Sequence, residues 1–76
     1  MQVKEGVIVD LKLSPSGHVT EVLKNLRYVD VDDGSYEIIT RKSPVGNAIY
    51  GKEKGDKVKE FNSGMEIEIL DVREGS

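Results

Sequence analysis

Several places in the sequence bring together side chains that could do chemistry. Asp30, Asp32 and Asp33, followed by Gly34, have the spacing that opens a calcium-binding loop, where alternating carboxylates supply oxygen ligands to a hard cation. Such a loop also needs a Glu at its twelfth position, and counting from Asp30 reaches Arg41, so the cluster reads as a solvated turn. Ser14, Ser16 and His18 offer hydroxyls and a base, yet nothing marks a serine held on a strained nucleophile elbow. His18 is the sole histidine and cysteine is absent, so no second nitrogen or sulfur ligand is available to share a transition metal; it reads as a surface residue. Lys52, Lys54, Lys57 and Lys59 interleave with Glu53, Asp56 and Glu60, which describes a solvated face of individually weak charge pairs. No catalytic, metal or cofactor site is expected.

The elements that must position any site are small. A chain of 76 residues is one domain, close to the size at which a single core is only marginally stabilising, and leaves little room for a deep pocket and its scaffold. With one Phe and no Trp, the core has to be built from Val, Ile and Leu. Lack of cysteine rules out a disulfide framework and suits a reducing compartment; together with the absence of a signal-peptide pattern or a long apolar run, it leads to the expectation of a cytoplasmic protein. A net charge of −3 argues against direct binding to phosphate backbones, which requires several of them to be neutralised by Lys and Arg.

"VIVDLKL" alternates with a period of two and predicts a strand from about Gly6 to Leu13, stopped by the turn signal "SPSG" at 14–17. Val19, Val22, Leu23 and Leu26 fall at helical spacing, predicting a short helix over 19–26, followed by a strand over 27–31. "DDGS" at 32–35 is a turn signal expected to join "RYVDV" and "SYEIIT" as a hairpin. "KVKEF" and "MEIEILDV" flank "NSG" as a further hairpin, with Met65, Ile67 and Ile69 on its dry face and Glu66 and Glu68 on its wet one. The polar ends "MQVKEG" and "REGS" read as frayed edges of the domain.

The most densely specified stretch is "SPVGNAIYGKEKGD", residues 43–56. Ser43 suits an N-cap and Pro44 the first helical position, where its missing N–H costs nothing. Val45, Ala48 and Ile49 then form one apolar stripe on a helix of about two turns, which must dock on the sheet to persist. Gly51 supplies the left-handed residue that ends it, and "KGD" at 54–56 turns the chain into the next strand.

Ser43, Pro44, Gly46, Ala48, Gly51, Lys52, Gly55, Asp56 and Val58, in that order and spacing, with "EIEIL" in the closing strand, resemble the C-terminal domain of the bacterial Gre transcript cleavage factors and their relatives. The resemblance is specific from Tyr36 to Val72. It implies an FKBP-like α+β fold, a small bent antiparallel sheet holding one short helix, over the single domain 1–76. It implies a non-enzymatic module whose partner is bacterial RNA polymerase, bound at the β′ rim helices beside the secondary channel and modulating transcription elongation. Ser43 and Pro44 match the docking turn of that family, with Lys42, Val45 and Asn47 as neighbours. The family's cleavage chemistry sits on an N-terminal coiled coil, and no sustained heptad pattern occurs in these residues. A monomer is expected, with no nucleic-acid or membrane contact. Two other readings are a minimal peptidyl-prolyl isomerase, for which the chain offers few pocket aromatics, and an interaction domain with some other partner.

Overall fold

The structure is a computed structural model that describes residues 1–15, 17 and 20–75. Five strands and one helix follow one another as β1 (Val7–Ser14), β2 (Val22–Tyr28), β3 (Ile38–Ile39), α1 (Pro44–Ile49), β4 (Lys57–Lys59) and β5 (Glu66–Glu74). They form a single small α+β unit, with the sheet ordered β3-β2-β1-β5-β4. β1 occupies the centre because its alternation is the cleanest: Val7, Val9 and Leu11 are buried, while Ile8, Asp10 and Lys12 on the other face are half-exposed. The strand runs one residue beyond the expected range at its C-terminal end and begins one later.

β1 pairs antiparallel with both β2 and β5. In β5 the apolar residues Ile67, Ile69 and Val72 are out of step with a strict period of two. A register shift between Asp10 and Leu11 resolves this: Leu11 faces Ile69 and Asp10 faces Asp71, so Leu70 is the extra residue of a bulge and Val72 returns to the core side opposite Val9. The bulge also sets two aspartates directly across from each other, a repulsive pairing. Arg73 bridges them, at 2.5 Å from Asp10 and 3.0 Å from Asp71. Arg73 first, then Asn25, hold the Asp10 carboxyl below its usual range.

The core comprises Val3, Val7, Val9, Leu11, Tyr28, Ile39, Ile49, Ile67 and Ile69, with α1 against one face of the sheet. Each such aliphatic side chain contributes about 1.5–3 kcal/mol on full burial. The expected wet face of the β4–β5 hairpin is present, with Glu66 exposed and Glu68 half-exposed. Its turn is organised by Glu60, only 3% exposed, whose carboxylate accepts from the Asn62 N–H at 2.6 Å, the Ser63 N–H at 2.9 Å and the Ser63 hydroxyl at 2.6 Å. Ser63's hydroxyl, followed by the Asn62 amide, lowers the Glu60 pKa.

Three expectations are corrected. Residues 22–26 belong to a strand rather than a helix: Leu26 and Tyr28 turn inward while Val22 and Leu23 are exposed, so the helical spacing was coincidental; Val19 and His18, like Ser16, lie outside the described residues. The expected hairpin over "DDGS" does not form, and the sheet is mixed rather than antiparallel. β2 and β3 pair in parallel, Arg27 with Ile38 and Tyr28 with Ile39, across the connection 29–37. Within it Asp32 accepts from the Gly34 N–H and Asp33 from the Ser35 N–H, so these carboxylates make two local turns instead of one hairpin. The left-handed Glu37, at φ 63°, then sends the chain into β3 in the same direction as β2. Finally, the ends are not frayed over their described residues. Val3 is fully buried and exchanges backbone hydrogen bonds with Lys52 and Gly51, each at 2.8 Å, and the Gly75 N–H donates to Gly6 C=O at 2.9 Å.

Candidate functional site

The expected docking residues lie on the turn between β3 and α1, Lys42 and Ser43, and in α1 itself, Pro44, Val45 and Asn47. Ser43 has extended backbone, φ −80° and ψ 149°, which lets its side chain fold back over the start of the helix. Its hydroxyl accepts from the Gly46 N–H at 3.0 Å and donates to the Thr40 C=O at 3.0 Å, while its own N–H donates to the same carbonyl at 3.2 Å. Ser43 therefore clamps the turn to the helix from both sides. Pro44 takes the first helical position and is exposed, as are Lys42 and Asn47. Val45 and Ala48 are half-buried against the core and Ile49 is fully buried, so the apolar stripe faces inward as the spacing predicts. Of the five residues singled out, Lys42, Pro44 and Asn47 are presented outward, Ser43 acts through its hydrogen bonds, and Val45 serves chiefly as packing.

Gly46 shows why the fourth position of this stretch carries no side chain. A Cβ there would lie 1.8 Å from the Thr40 carbonyl oxygen and 2.8 Å from Ser43 Oγ. The helix thus sits directly on the backbone of the turn. From below, the buried Tyr28 hydroxyl donates to the Gly46 C=O at 2.6 Å, tying β2 to one of the last four helical carbonyls. Burial pushes the Tyr28 phenol up to about 12. Its ring packs against Tyr50 with centroids 5.8 Å apart, and the Arg41 guanidinium lies 4.0 Å from the Tyr50 centroid on the ring's face. The Tyr50 hydroxyl reaches Glu5 at 3.4 Å. Sequence reasoning did not reach Arg41, Tyr28 or Tyr50; the one available signal was that a buried tyrosine hydroxyl needs a partner.

Elsewhere the chemistry is sparse. Among the described residues no group of three or more His, Cys, Asp or Glu side chains converges as a metal site, and the Asp32 and Asp33 carboxylates are engaged by backbone amides. A groove of about 450 Å³ on the open face of the sheet is walled by Lys12, Lys57, Lys59, Glu21, Glu66 and Glu68. A second, of about 330 Å³, lies beside Arg27, Asp33, Tyr36 and Glu37. The first groove also has Val58 and Ile67 in its wall but no aromatic residue, and the second adds Ile8, Val29 and Ile38 beside its single aromatic, Tyr36.

No protein-family model matches the sequence, and no curated protein matches it. Among solved structures the chain is similar to a prokaryotic transcription elongation factor GreA/GreB from Nitrosomonas europaea. The two share 23% identity with a TM-score of 0.47, over 93% of this chain and 64% of that one. This chain therefore spans less than two thirds of that protein's length. At this score and identity the likeness bears no weight for function, which is argued from the residues.

Proposed function

We propose that this chain is a binding module that docks on bacterial RNA polymerase through the turn and first residues of α1 that bear Lys42, Ser43, Pro44 and Asn47. The observation that carries the reading is the division of labour within that turn. Ser43, Gly46 and Val45 are committed to the fold, so Pro44, Lys42 and Asn47 are held outward on a rigid support instead of a mobile loop. Rigid presentation lowers the ordering cost of association, and a few central residues carry most of an interface's energy. The Gre-like motif from Tyr36 to Val72 supplies the partner: the β′ rim helices beside the secondary channel, with modulation of elongation as the outcome and an FKBP-like arrangement of the strands. The module works in the cytoplasm as a monomer and is not an enzyme in its own right.

The test is competition with a full-length Gre factor for polymerase, paired with thermal unfolding of the same proteins. Changing Ser43→Ala and Pro44→Ala together removes the cap and the outward ring; the cap is worth about 1 kcal/mol, a loss a folded domain survives. The double variant is expected to remain folded and to compete markedly less well. If it melts earlier yet competes as well as the parent, the turn is architecture only, and the reading fails.

A further inference from the structure

The chain has three arginines, and the structure treats them differently. Arg27 donates to the Gly75 carbonyl at 2.9 Å, and Arg73 is bound by Asp10 and Asp71. Arg41 makes no side-chain hydrogen bond or ion pair among the described residues; instead its guanidinium carbon lies over the Tyr50 ring, 4.0 Å from the centroid. Stacking fixes the plane of a guanidinium while leaving the N–H groups at its edge free, the geometry that receives a carboxylate through two parallel hydrogen bonds.

Its surroundings select the sign of the partner. Residues 38–52 contain Arg41, Lys42 and Lys52 and no acid, although the whole chain carries 14 Asp and Glu against 11 Lys and Arg. Glu5, on the neighbouring N-terminal segment, is engaged with the Tyr50 hydroxyl. α1 has only six residues, so the turn and the Tyr50 end of the helix belong to one small surface about 9 Å long. A cationic island on an acidic chain meets an acidic face with the least repulsion elsewhere.

We propose that Arg41, stacked on Tyr50 with its edge unpaired, grips a carboxylate on the acidic protein face to which the Ser43–Pro44 turn docks. This rests on the docking reading above and names the chemistry of the partner. Protein carboxylate is favoured over nucleic-acid phosphate because the surface couples three cations to the exposed Pro44 ring, while the molecule as a whole is negative.

Binding of the full chain to bacterial RNA polymerase is measured by fluorescence anisotropy at low and at physiological salt, for the wild type and for Arg41→Ala, Arg41→Lys and Lys59→Ala. Arg41→Ala should bind roughly 10- to 100-fold more weakly, as expected for loss of paired hydrogen bonds to a charged group, with a shallower salt dependence. Arg41→Lys, which keeps charge but not the fork, should recover only part of this; Lys59→Ala, an exposed lysine of β4 outside residues 38–52, should bind as the wild type does. Circular dichroism on each variant separates lost binding from lost fold. Wild-type affinity in Arg41→Ala overturns the proposal, as does full recovery in Arg41→Lys. Displacement of the wild type by a short oligonucleotide overturns it in favour of phosphate. If the wild type itself fails to bind polymerase, the docking reading falls and this inference with it, an outcome distinct from binding that ignores Arg41.

Discussion

Gly46→Ala sets local and tertiary physics against each other. In an isolated helix the change stabilises, by about 0.5–1 kcal/mol, because glycine loses more backbone freedom on ordering. Here the new methyl would start 1.8 Å from the Thr40 oxygen and 2.7 Å from its carbon, both backbone atoms, whereas ordinary contact begins near 3.4 Å. The carbonyl cannot swing aside freely, since it accepts from both the N–H and the hydroxyl of Ser43. Moving the helix instead strains the Tyr28 bond to Gly46, which is 2.6 Å long and buried. Overpacking of this kind costs about 1–3 kcal/mol. Disrupting the Ser43 cap adds about 1 kcal/mol. After the gain in helix propensity, a net loss of about 2–3 kcal/mol remains, which for a domain of this size lowers Tm by roughly 10–20 °C. The assay is thermal and urea unfolding followed by far-ultraviolet circular dichroism, with Asn47→Ala, an exposed change on the same helix, as a control that stays within about 0.5 kcal/mol. A Gly46→Ala protein that melts with or above the parent refutes the close approach of helix and turn.

Tyr28→Phe should cost about 1–2 kcal/mol at neutral pH, measured by urea denaturation, because the Gly46 carbonyl loses a buried donor. The phenol's pKa is raised in the folded state, so its contribution is complete below the ordinary tyrosine value near 10 and is lost as pH rises from there to about 12; the Phe variant should show a flatter alkaline profile. Asp10 and Glu60 have lowered pKa values, so the stability they add is full at neutral pH and disappears as pH falls below the normal carboxylate range through their folded-state values. Glu60→Gln should melt earlier at pH 7 and lose less on acidification, as read by melting temperature against pH. Val3→Asp, placing a charge where the side chain is fully buried, should destabilise by more than about 3 kcal/mol and leave little folded protein in circular dichroism.

What could be read from sequence follows the range of the interactions. The β1 strand and the helix start were legible because their causes are local: an alternating run in one case, a Ser-Pro cap within four residues of the amide it serves in the other. β2 was not, since it lies near the sheet's margin with its first four residues exposed, and so carries almost no burial period. The parallel pairing of β2 with β3 was invisible for a related reason. A turn signal reports that the chain bends, not which side of its neighbour it returns to. Val3 is a single buried residue in a polar segment, too little for any period to register. Around the turn, Ser43 as the cap and Pro44 as the first helical residue were foreseen from type and order, whereas the crowding of Gly46 by Thr40 and the contact of Arg41 with Tyr50 are made across the fold.

The central pairing of the sheet joins Val7 to Glu74 and Ser14 to Glu66, so its two strands are separated by most of the chain. Loop closure over such distances slows folding, since the entropy of bringing the strands together is lost before their contacts form. During synthesis, β1 can pair only with β2 until β5 has left the ribosome, and its other edge remains open with Val7, Val9 and Leu11 uncovered on one face. Cooperative folding of this domain is therefore an event of the completed segment, and a chain cut short before Glu66 would expose an apolar strand edge of the kind that aggregates.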